Sequence, residues 1–193
     1  KDEALHAERR TAILKAAASI FKAKGFHLAR TEDICSEAGL SAGTVFRHFP
    51  DKRAMIMAIA EIEFEHFNRE LRRLMNKEGL QWLTRITGVE LTDLLRPTIY
   101  DLGSDSWLEL ARDAQGKRRI LALDKKLRTT LSHELARGQT EGWVRKSLEV
   151  KGTANVIMAL FSGLNFDREI GAAVDPDATA RALGDLFRNF FVV

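Results

Sequence analysis

The side chains of this chain that could do chemistry concentrate in one short run, Ser41-Ala42-Gly43-Thr44-Val45-Phe46-Arg47-His48-Phe49, entered through Ala38-Gly39-Leu40 and followed by Pro50-Asp51-Lys52. Ser, Thr, Arg, His and Lys all donate hydrogen bonds that phosphate oxygens accept, while Ala and Gly let a backbone approach another surface closely. Gly39 can take a positive φ, Ser41 can cap a helix, and Leu40, Val45 and Phe49 recur at helical spacing. A helix this short is marginal alone. Val45 and Phe49 must hold it from behind, which leaves Ala42, Gly43, Thr44, Phe46, Arg47 and His48 facing outward. Small residues at the leading end with polar and cationic ones behind suit a helix that enters the DNA major groove N-terminus first.

Other chemistries lack their residues. His6, His27, His48, His66 and His133 never stand at metal-ligand spacing with a second His or Cys, and no Gly-rich phosphate loop or Gly-x-Ser-x-Gly elbow is present. His133-Glu134 reads as a helix surface pair, and Asp101 with Asp105 as solvated helix ends. No catalytic residue, metal or cofactor is therefore expected. The lone Cys35 excludes an intramolecular disulfide and fits a reducing compartment; it reads as a packing thiol rather than a redox sensor, since there is no resolving cysteine. No apolar run approaches the roughly 20 residues of a membrane span, and no leader-like segment opens the chain, so a cytoplasmic protein is expected. The first residue is Lys rather than Met, so the encoded chain is expected to begin earlier.

The elements that must position this run read as helices. In 193 residues there are three Pro and one Tyr beside 45% hydrophobic and 30% charged residues, which favours an all-α fold. Residues 1–53 carry ten Lys and Arg against seven acids and so hold the entire formal charge of +3, placing any polyanion-binding face in the N-terminal quarter. A first helix is predicted over 7–24, with Ile13, Ala17, Ile20 and Phe21 buried, ended by Gly25 with Phe26 folded back on Phe21. A second opens at Thr31, whose hydroxyl is expected to cap it, and stops at Gly39. Asp51 is the expected cap of a fourth helix reaching about residue 75. Further helices are predicted over 80–96, 104–114, 117–137, 153–170 and 176–191, the last announced by Asp175, Pro176 and Asp177.

The ordered pattern Ile13-Leu14-x-Ala16-Ala17-x3-Phe21, Gly25-Phe26, Asp33-Ile34, Glu37-Ala38-Gly39-Leu40-Ser41-x-Gly43-Thr44-Val45-Phe46-x-His48-Phe49-x-x-Lys52 resembles the helix-turn-helix domain of TetR/AcrR-type transcriptional regulators. The resemblance implies a three-helix DNA-binding domain over 1–52 and a helical effector-binding and dimerisation domain over 53–193. It implies that Thr31, Ser41, Ala42, Gly43, Thr44, Phe46, Arg47, His48 and Lys52 meet DNA, with Ala42, Gly43 and Thr44 left to read base edges. His48 could instead be a structural histidine. The sequence departs from the family at Ala42, where a basic residue is common, and at Phe46, where Tyr is. Pairing of the last two helices with their two-fold mates implies a homodimer interface at Ile157, Phe161, Leu164, Leu183, Phe187 and Phe190.

Phe64, Phe67, Trp82, Tyr100 and Trp107, with the Tyr100 hydroxyl and Asn165 as orienting polar groups, could line an effector cavity or simply fill the domain. The function expected is a dimeric regulator of double-stranded operator DNA, a repressor released by a small hydrophobic effector. The alternative is a constitutive or architectural DNA-binding dimer without a ligand.

Overall fold

The computed structural model describes residues 2–190, with side chains to Arg188, and among these residues it contains ten helices and no strand. The first, α1 (Asp2–Leu28), buries Ile13, Leu14, Ala17 and Phe21 and breaks at Gly25, whose φ of 72° and ψ of 159° are not helical. That break turns Phe26 back onto Phe21, ring centroids 5.5 Å apart. α2 (Thr31–Ala38) is capped one residue earlier than expected: Arg30 holds the N-cap position and its N–H donates to Asp33 Oδ2 at 3.1 Å, so Thr31 is already helical. Gly39 closes α2 at φ 64°, a left-handed conformation that Gly adopts without a Cβ penalty. α3 (Ala42–His48) is capped by Ser41, whose Oγ accepts from the Thr44 N–H. α4 (Lys52–Leu74) opens on Asp51, whose Oδ1 accepts from Ala54 N–H at 2.8 Å.

Beyond α4 the structure cuts the chain more finely than its periodicity. The helix predicted over 80–96 is two, α5 (Lys77–Leu83) and α6 (Gly88–Leu94), because Thr87 and Glu90 form a reciprocal capping box. α7 (Ser104–Arg112) and α8 (Ala114–Glu141) part at Asp113, whose Oδ2 accepts from Gly116 N–H at 2.8 Å. α9 (Val150–Glu169) starts on Glu149, and α10 (Pro176–Phe190) on Asp175, whose Oδ1 accepts from the N–H groups of Asp177 and Ala178.

Packing divides the chain into two units. The first comprises 1–65 with 97–123, the second 66–96 with 124–193, so α4 and α8 each contribute to both. In the first unit the helix-turn-helix core of Ile13, Phe21, Ile34, Val45, Phe49 and Ile59 is continuous with Tyr100, Leu102 and Leu110, which is why the second stretch joins it. In the second, α10 packs on α5 and α6; its Gly184 allows the approach, since a Cβ there would stand 2.8 Å from the Thr84 carbonyl oxygen. No helix among the described residues is long and apolar enough to cross a membrane.

Candidate nucleic-acid interface

The outward face of α3 is built by burying its back. Val45 is fully buried and Phe49 nearly so, packed in one cluster with Ile34 of α2 and Ile13 of α1, and the Arg10 guanidinium lies over the Phe49 ring at 5.3 Å. Ser41, Ala42, Gly43, Phe46 and Arg47 are consequently exposed and Thr44 and His48 half-buried. A Cβ placed on Gly43 would meet nothing within 4 Å, so no neighbour within the protein requires a glycine there. Thr44 Oγ1 stands 3.0 Å from Ser41 Oγ, which orients one hydroxyl by the other at the leading end of the helix.

Two of the expected phosphate donors have partners of their own. Lys52 Nζ donates to the carbonyl oxygens of Phe26 (2.8 Å) and Ala29 (2.6 Å) and lies 4.7 Å from the Phe26 ring centroid. It ties the start of α4 to the orphan carbonyls behind the Gly25 break. The His48 ring lies 4.2 Å from that of His6 on α1, and its Nδ1 is buried without a hydrogen-bond partner. Burial, followed by the neighbouring His6, Arg9, Arg47 and Arg10, holds the His48 imidazole below its ordinary pKa. His6 carried no local sequence signal; the located excess of basic charge was the clue that did exist. Thr31 is half-buried in the first turn of α2.

The six residues expected at an effector cavity fall into both units: Phe64, Tyr100 and Trp107 in the first, Phe67, Trp82 and Asn165 in the second. Phe64 and Trp107 do meet, edge to face at 5.2 Å, and the Trp107 Nε1–H donates to Leu102 O. Tyr100 is buried. Trp82 Nε1–H donates to Glu90, and Asn165 turns its amide onto its own helix, donating to Phe161 O at 2.9 Å. A cleft of about 310 Å³ lies elsewhere in the first unit, lined by Gly25, Phe26, Leu28, Leu108 and the His27–Glu109–Arg112 group, and none of the six reaches it. A polar group that the sequence reading passed over is Asn68 of α4, 6% exposed, whose Oδ1 has no partner. No cluster of three or more His, Cys, Asp and Glu suited to a metal occurs among the described residues.

The residues expected at the dimer surface are packed within the protomer itself. Ile157, Phe161, Leu183 and Phe187 are 2%, 3%, 4% and 0% exposed within the single chain, and Leu164 is half-buried, so this face is consumed by the protomer's own core. The side chain of Phe190 lies outside those described. What α9 leaves exposed is the opposite stripe, Val156, Ala159, Gly163, Phe166 and Ile170, spaced alternately by three and four residues.

Residues 13–59 match the family described as bacterial regulatory proteins, tetR family. The chain is 26% identical over 170 residues to the HTH-type transcriptional regulator UidR of Escherichia coli (strain K12), covering 83% of this chain and 81% of that protein. Its fold is shared with a transcriptional regulator of Saccharomonospora viridis solved in complex with choline (TM-score 0.73, 23% identity, 97% and 99% of the two chains). It is shared also with FadR of Bacillus subtilis in complex with stearoyl-CoA (TM-score 0.70, 18% identity, 92% and 96%).

Proposed function

We propose that this chain, whose residues 13–59 match the tetR family of bacterial regulatory proteins, is a homodimeric repressor that places α3 in the major groove of its operator and leaves when a small effector binds. The observation that carries the reading is the exposed Ala42-Gly43 edge, with open space beyond Gly43, backed by buried Val45 and Phe49. Ser41, Thr44, Phe46, Arg47 and His48 flank that edge and serve as backbone and base contacts; Thr31 and the amide end of α4 at Lys52 complete it. The dimer forms through the outward α9 stripe, whose spacing is that of helices packing side by side. Two heads about 34 to 36 Å apart then meet successive major grooves.

Effector control is supported by the two ligand-bound structures, although choline and stearoyl-CoA are unlike each other and carry no ligand class to this chain. Within the second unit, the unpartnered oxygen of buried Asn68 supports an otherwise apolar effector that offers it one hydrogen-bond donor. The test is selection of bound fragments from genomic DNA, followed by a thermal-shift and displacement screen of small molecules. Enrichment of an inverted repeat with half-sites about one helical turn apart is expected; no enriched sequence would refute operator binding, and no displacing compound would refute effector control.

A further inference from the structure

The His6–His48 contact brings α1 and the end of α3 together through two imidazoles, with Arg9, Arg10 and Arg47 around them. His6 is exposed on α1, 4.2 Å ring to ring from His48 at the end of α3; Arg9 is half-buried and Arg10 and Arg47 are exposed around them. The charges that act on His48 are His6, Arg9 and Arg10 of α1 and Arg47 of its own helix, all basic. Acids on the packed elements serve elsewhere: Asp33 of α2 pairs with Lys24, Glu37 accepts the Ser19 hydroxyl, and Asp51 caps α4. Asp2, Glu3 and Glu8 of α1 and Glu32 of α2 are exposed. Protonating His48 makes both ring nitrogens donors, and its buried Nδ1 has nothing to donate to. The free protein therefore disfavours the charged ring, and an anion laid over the cluster would reverse that preference.

Resting on the reading of α3 as the DNA-reading helix, we propose that the His6–His48 pair, with Arg9, Arg10 and Arg47 around it, is a proton-linked seat for the DNA backbone. Phosphate sets negative charge against the cluster, and the His48 imidazole takes up a proton from solvent as DNA binds. The first turns of α1 thereby belong to the interface, beside α3. Linkage fixes the sign: a group that gains protons on binding makes affinity rise as pH falls through its titration range. Each imidazole whose pKa rises by one unit on the DNA contributes about a tenfold change.

The experiment is fluorescence anisotropy of the whole chain with a labelled mixed-sequence duplex of about 30 base pairs at low salt, since backbone contacts do not depend on sequence. Wild type, the double variant His6→Gln with His48→Gln, and a His133→Gln control on α8 are compared between about pH 8 and pH 6, either side of the histidine range. Wild type and control are expected to tighten several-fold on acidification while the double variant stays flat. Equal pH dependence in all three, or none in wild type, overturns the proposal while leaving the regulator reading intact. Absence of duplex binding at every pH overturns both. Should the double variant not fold, the His48 ring titration followed by NMR in wild type decides the matter. Its midpoint must move up when the duplex is added, and an unmoved midpoint overturns the proposal.

Discussion

Lys52 Nζ sits 2.8 Å from the carbonyl oxygen of Phe26 and 4.7 Å from the centroid of the same residue's ring. A cation that serves the backbone this way is chiefly a clamp between α1 and α4. Replacing Lys52 by Ala is expected to cost about 1.5 to 3 kcal/mol of stability, the range for hydrogen bonds to charged groups, and to weaken DNA binding with an unchanged salt slope. Arg47→Ala is expected to do the converse, leaving stability within about 0.5 kcal/mol and lowering the salt slope by about one counterion. Urea denaturation and binding isotherms at several salt concentrations separate the two; a reduced slope for Lys52→Ala would return its ammonium to the phosphates.

Gly43 offers a cleaner separation of fold from function. It is exposed within α3 and a Cβ there touches nothing, so Gly43→Leu is expected to raise the melting temperature slightly, helix propensity favouring Leu over Gly by somewhat under 1 kcal/mol. The same side chain would project into the groove and abolish operator binding. A variant that binds the operator normally would place the recognition edge elsewhere.

Much of this architecture was legible because it rests on local chemistry. Gly39, Ser41, Asp51 and Asp175 each mark a helix end through the conformation or hydrogen bond their side chains favour, and each does so in the structure. What escaped was chemistry between residues far apart or ambiguous in face. The partners of Lys52 lie 23 and 26 residues away, and nothing in the spacing of His6 and His48 announces their contact. α9 is apolar on both sides, so periodicity found Ile157 and Phe161 without telling that they face inward and Val156 and Phe166 outward. The break between α5 and α6 was written in Thr87-x-x-Glu90, a capping box inside an otherwise continuous helical pattern.

The two faces of α9 and α10 predict opposite outcomes for similar substitutions. Phe166 is 50% exposed and Phe187 fully buried. Phe166→Glu is expected to leave a folded chain that sediments as a monomer and loses operator binding, because it would set an unpaired charge on the proposed two-fold contact. Phe187→Ala is expected to cost about 3 to 5 kcal/mol of protomer stability, as core truncations of Phe do. Sedimentation equilibrium with circular dichroism distinguishes them, and a Phe166→Glu dimer of normal affinity would remove that stripe from the interface.

Acid should loosen the DNA-free protein through His48, the same histidine proposed to seat the DNA backbone. Burial and the cations around His48 lower its pKa in the folded chain below the ordinary imidazole value of 6.5, so between the two values the unfolded chain binds more protons than the folded one. The stability contributed is fully present above about pH 6.5 and is lost as pH falls through the unfolded value towards the folded one. The urea midpoint of the free protein should therefore fall on acidification from about pH 8 to pH 5.5, and His48→Gln should remove part of that fall. Added duplex should oppose it, since bound phosphate stabilises the protonated ring. A urea midpoint that falls equally in wild type and His48→Gln would assign the acid sensitivity to other groups and leave His48 without a titrating role in the free domain.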